Sequence, residues 1–148
     1  MLVTGCEDCT FISKNSTLIK VRFYRQGSMR LTKFSIDSVR TERGTVYKRG
    51  NIDIDTLSLP INPTSTNNAF YVFFRKVNIN NTLVSRRDTL QVAYDRLFSV
   101  VAPNCGYDQR VDNLLILPDK TSRQILQTAQ VFKNSLTVND SVNIRLFF

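Results

Sequence analysis

Three cysteines and a few carboxylates carry most of the chemistry open to this 148-residue chain. Cys6, Cys9 and Cys105 are its only thiols. A thiolate can act as a nucleophile, a metal ligand or one half of a disulfide. Cys6-Glu7-Asp8-Cys9 has the C-x-x-C spacing of redox and zinc sites, but it stands in a tail and not at the start of a helix, so neither chemistry is expected there. Histidine is absent, which excludes Ser-His-Asp and Cys-His catalysis, imidazole metal ligands and the usual pH switch. Asp108, Asp112 and Asp119 come nearest to the paired carboxylates of glycoside hydrolysis, but the chain has no tryptophan to line a sugar groove. Asn51, Asp53 and Asp55 place oxygens at alternate positions. Read as a calcium loop, the sixth position is Thr56 where glycine is needed and the twelfth is Asn62 where glutamate is needed. Five glycines leave no room for a Walker loop or a dinucleotide turn. The chain is therefore read as no enzyme, with no catalytic residue, no metal and no cofactor.

Val3-Thr4-Gly5-Cys6 resembles a bacterial lipobox: an aliphatic residue, a small one, glycine or alanine, then cysteine. In lipoprotein precursors that thiol receives a diacylglycerol and becomes the new N-terminus. The resemblance implies lipidation at Cys6, with residues 1–5 as the remnant of a signal peptide whose basic start and apolar stretch would lie upstream. Glu7 and Asp8 then follow the lipid site, as in some systems that export to the outer surface. With Cys6 acylated, Cys9 and Cys105 remain as an even pair, and in an oxidising compartment they can form one disulfide. The alternative is two reduced, buried thiols. Closing so long a loop would contribute on the order of 3–5 kcal/mol in the chain-entropy model.

The elements that must position these residues read as strands. Val, Ile and Thr make up about a quarter of the chain, whereas Glu7 and Glu42 are its only glutamates. β-Branched side chains pack well on a pleated surface and lose rotamer freedom in helices. Thr17 to Arg25 alternates, with Ile19, Val21 and Phe23 on one face. Leu31 to Val39 is expected to be the next strand, and Val46-Tyr47 a short one between the turns at Gly44 and Gly50. Ile52 to Ile61 follows, with Pro60 marking an edge. Ala69 to Val77 sets Phe70, Val72 and Phe74 against Tyr71 and Phe73. Asn78 to Asn81 reads as a hairpin connection. Asp88 to Asp95 carries Leu90, Val92 and Tyr94 on one face. Phe98 to Val101, Asn113 to Leu117 and Val142 to Phe148 complete the series. Ser122 to Lys133 fits both helical and strand spacing, and the strand is preferred because the rest is β. Turn residues every 8–12 positions or so suit a sandwich or barrel. The expected fold is all-β: an antiparallel β-sandwich, immunoglobulin-like or related, of seven to eight strands. Residues 1–8 form a tail with the lipobox-like remnant, and residues 9–148 a single domain.

Several stretches together resemble a family of small Bacteroidota cell-envelope lipoproteins, a domain of unknown function. They are Cys6, Cys9, Leu18 to Tyr24, Ile54 to Pro60, Leu90 to Tyr94, Val101-Ala-Pro-Asn-Cys105-Gly106-Tyr107 and Asn143 to Phe148. The resemblance implies a β-sandwich and an envelope address, and no activity. The net charge of +8 attracts anionic lipid or acidic glycan, although the basic residues are scattered and form no long run. Aromatics beside cations, as at Phe73-Phe74-Arg75-Lys76, could stack on nucleic acid. On strands such residues are more often core, and an envelope address removes that partner. The expected function is a non-catalytic accessory or binding module, lipid-anchored to the outer membrane on its periplasmic or surface face, with a protein or glycan partner. The alternatives are a structural component of a larger envelope assembly and, more remotely, a cytoplasmic anion- or nucleic-acid-binding β domain.

Overall fold

The computed structural model describes residues 13–48, 53–62, 67–101, 105–118, 126–139 and 141–148. Nine strands form two sheets, and no α-helix occurs among the described residues. The strands are β1 (Leu18–Tyr24), β2 (Ser38–Thr41), β3 (Gly44–Lys48), β4 (Thr56–Pro60), β5 (Asn68–Ile79), β6 (Thr82–Val100), β7 (Tyr107–Ile116), β8 (Thr128–Val131) and β9 (Ile144–Phe147). One sheet has the order β4-β1-β9-β8 and the other β3-β2-β5-β6-β7.

Period-two alternation decides which face each strand buries. Ile19, Val21 and Phe23 of β1 are fully buried and meet Tyr71 and Phe73 of β5 and Leu90 and Val92 of β6 across one shared core. Strand β7 breaks the alternation. Val111 and Leu114 are both buried although three residues apart. The register slips between Ala93 and Asp95 of β6, so that β7 carries one extra residue, and Asn113 there has φ 55°. Asparagine tolerates that left-handed conformation better than most residues, and the bulge turns Leu114 inward where strict alternation would expose it.

Several expectations are corrected. The described residues form nine strands, not seven or eight, and the sheets are not wholly antiparallel, because β1 pairs with β9 in parallel. Leu31 to Val39 is not one strand. Leu31 and Phe34 make isolated bridges to Tyr24 and Ile54, and only Ser38 and Val39 enter β2. This segment crosses from one sheet to the other, so its backbone groups are satisfied by neighbours on both. Asp88–Asp95 and Phe98–Val101 merge into the 19-residue β6, without Val101. Of residues 122–133, Thr128–Val131 form a strand, and 119–125 lie outside the described residues. The immunoglobulin strand order is also not reproduced, since β5, β6 and β7 lie side by side in chain order.

Three polar side chains, Asn143, Arg75 and Asp88, are buried among the described residues. Asn143 is 3% exposed. Its Oδ1 accepts from Lys20 N at 2.9 Å, and its Nδ2 donates to Lys133 O at 3.1 Å and Ser135 O at 2.9 Å. Its backbone N–H donates to Lys20 O. The side chain thus supplies a rung where β9 has not yet begun. Arg75, on the core face of β5, lies over the rings of Phe34 and Phe148 at 4.9 and 4.7 Å. Burial pulls its pKa down from the ordinary value, while the nearby Asp88 and Asp37 carboxylates oppose the shift. Asp88 is itself buried and accepts from Leu126 N at 3.0 Å.

Replacing Asn143 with alanine removes the side-chain partner of three part-buried backbone groups and is expected to cost about 2–4 kcal/mol in urea unfolding. Asn143→Asp, which is nearly isosteric but loses both donors, should be no milder. A loss below about 1 kcal/mol for both would show that the joint is dispensable.

Candidate functional site

A cleft of about 400 Å³ opens where the two sheets end unequally. On one side the chain enters β1 at Thr17 and leaves β4 through Pro60, Ile61 and Asn62. On the other, the β6–β7 hairpin runs on past that edge and contributes Arg96 and Gln109. The turn between β2 and β3 supplies Thr41, Glu42 and Arg43, and β5 supplies Ala69 and Phe70.

A polar bracket keeps the cleft open. Arg96 Nη1 donates to Asn62 O at 3.3 Å. Its Nε and Nη2 donate to the Gln109 carboxamide oxygen at 2.9 and 3.2 Å, in the amide orientation that satisfies both partners. Asn62 Nδ2 donates to Glu42 Oε1 at 2.6 Å, so the strand end and the β2–β3 turn are tied across the gap. Beneath lie two tyrosines. Tyr71 donates to Pro60 O at 2.6 Å, and the Tyr94 hydroxyl accepts from Asn62 N at 3.1 Å. The floor is apolar, with Val46, Ile61, Ala69 and Phe70, and the exposed Arg43 stands at the rim. Such a cleft can hold a ligand by apolar contact below and by hydrogen bonds and one cation above.

The sequence-level candidates fall elsewhere. Cys6 and Cys9 lie outside the described residues, as do Asn51 and Asp119; Cys105 is described, at the turn before Gly106. Asp108 accepts from Ser13 Oγ at 2.5 Å and Asn15 Nδ2 at 2.7 Å, and Asp112 pairs with Arg110 at 2.6 Å. Four residues apart on one strand, the two carboxyls stand about 13 Å from one another along the chain and do not converge. Asp55 accepts from Thr56 Oγ1 at 3.0 Å. Among the described residues no group of three His, Cys, Asp or Glu is placed to hold a metal ion. The cleft itself was not read from the sequence. Its residues come from seven separate segments, and only Pro60, at a strand end, gave any signal.

Burial raises the pKa of both Tyr71 and Tyr94 above the ordinary phenol value near 10, and the Glu42 carboxylate adds to the effect. In the unfolded chain both ionise near that ordinary value. Below it their contribution to stability is fully present, and it is lost as pH rises, because the unfolded state releases protons that the native state keeps. Stability should therefore fall above about pH 10. Tyr94→Phe should reduce the slope, and absorbance titration compared with the Tyr71→Phe and Tyr94→Phe variants should place both of these ionisations above the ordinary phenol value. Free ionisation of all five tyrosines in the native state would contradict this geometry. Comparisons with protein-family models, curated proteins and solved structures found no match for this chain.

Proposed function

We propose that this chain is a non-catalytic binding module of a bacterial cell envelope, held to the outer membrane by lipid on Cys6 and presenting the cleft to a glycan or protein partner. The cleft carries the reading. Its volume lies within the range of small-ligand sites, and its amide, guanidinium and aromatic groups suit a hydroxylated or anionic ligand better than a reaction. A β-sandwich architecture, related to immunoglobulin domains at the level of layers and not of strand order, fits two sheets around one core. The family resemblance to Bacteroidota envelope lipoproteins stands with this proposal.

A Cys9–Cys105 disulfide belongs to it as well. Ser13 and Asn15 are tied to Asp108, three residues after Cys105. Four residues of chain reach at most about 14 Å, so Cys9 is within span of Cys105. A second reading, a structural component joined through a strand edge, draws support from β3 and β4, the outer strands of their sheets, each paired on one side.

Two measurements test the proposal. Intact mass of protein from its native host, with and without reductant, should give a chain beginning at acylated Cys6 with one disulfide; an unmodified chain beginning at Met1 with three free thiols defeats the envelope reading. Calorimetric titration with uronate-containing oligosaccharides should show binding that Arg43→Ala with Phe70→Ser weakens by about tenfold or more at unchanged thermal midpoint. Equal affinity in both proteins removes the cleft as the site.

A further inference from the structure

The β6–β7 hairpin continues beyond the end of the opposing sheet, and its core-side face continues with it. Tyr94 and Val111 are buried on that face, and Arg96 pairs with Val111 in the ladder. Two residues further along β6 comes Phe98, then Val100, which pairs with Tyr107. These three side chains are 61%, 64% and 74% exposed. The apolar pattern of the core thus runs on where, among the described residues, no opposing strand covers it. Nothing in the hairpin's own pairing requires apolar residues at these rungs, since polar side chains form exposed ladders equally well.

We propose that this overhang is a bilayer-contact surface, with Phe98, Val100 and Tyr107 entering the interface between headgroups and acyl chains. The choice of occupant rests on where the chain leads. Asp108, next to Tyr107, accepts from both Ser13 and Asn15, so the segment that descends from Cys6 is fastened to this hairpin. Cys6 lies seven residues before Ser13, a reach of at most about 25 Å. Lipid on Cys6, as proposed above, would bring the membrane to this end of the molecule. Phenylalanine and tyrosine suit the interfacial region, with an apolar body and, in tyrosine, a polar tip. Charge does not oppose the approach. Asp112 is paired with Arg110, Asp95 accepts from Asn113 at 2.7 Å, and Lys14 is exposed close by.

The chain contains no tryptophan, so Phe98→Trp provides a single reporter. It is placed in full-length protein carrying Cys6→Ser, so that no acyl chain contributes. Vesicles of phosphatidylethanolamine and phosphatidylglycerol should shift its emission to the blue, and lipids brominated high in the acyl chain should quench it. Adding Val100→Ser and Tyr107→Ser should lower partitioning by about tenfold or more, with circular dichroism and thermal midpoint unchanged. Emission that does not move at saturating lipid overturns the proposal. So does a blue shift that appears without vesicles and grows with protein concentration, which would make the occupant a second copy of the chain. Because this protein is unacylated, a native chain found without lipid would sink the lipoprotein reading and leave the hairpin result standing. An acylated native chain beside an unmoved reporter would sink the hairpin alone.

Discussion

The architecture turns on the joint at Asn143. Strand β9 lies between β1 and β8, parallel to one and antiparallel to the other. A strand entering a sheet between two others must satisfy backbone groups on both sides from its first residue. One residue before β9 begins, the Asn143 carbonyl accepts from Phe132 N at 2.8 Å and Lys133 N at 3.3 Å, and the chain beyond β8 brings the carbonyls of Lys133 and Ser135 to the same place. The Asn143 side chain meets them with its two N–H donors and meets Lys20 with its oxygen. A carboxamide is the group of that size that offers two donors and an acceptor at once. Leucine would offer none of these bonds and leave three part-buried backbone groups without this partner.

From that sheet's limited extent the rest follows. With β1 starting at Leu18 and β4 ending at Pro60, the four-stranded sheet stops short of the 19-residue β6. The unequal ends leave the cleft, and Arg96 braces it by holding the Asn62 carbonyl and the Gln109 carboxamide together. The same inequality leaves Phe98, Val100 and Tyr107 uncovered one step further out. Cleft and apolar overhang are two products of a single mismatch in strand length.

The parts of this arrangement visible in the sequence are those with a regular period. Ile19, Val21 and Phe23, and Leu90, Val92 and Tyr94, alternate as buried strands should, and all six are buried. Asn78 to Asn81 read as a hairpin connection, and Asn80 and Asn81 have φ of 50° and 63° at the turn between β5 and β6. Irregular features left no such trace. Asn113 at the bulge and Asn143 at the joint fall within expected strands, and no spacing marks their special roles, because their value lies in one backbone angle or in partners far along the chain. The crossover from Leu31 to Val39 has the apolar content of a strand but serves two sheets in turn. The cleft was invisible for a related reason: its lining is brought together by register, and no spacing in the chain records it.

The central position of β9 also governs the order in which the fold can be completed. Lys20 and Asn143 are 123 residues apart, so the bond between them closes one of the longest loops the chain can make. Long-range pairing of this kind is slow, because chain entropy is lost before contacts repay it. During synthesis β1 and β8 both emerge before the strand that joins them. Until residues 144–147 follow, β1 and β8 each lack the neighbour they share in the finished sheet. The four-stranded sheet therefore stays incomplete until β9 is available, and in that state it is most open to pairing with the wrong neighbour.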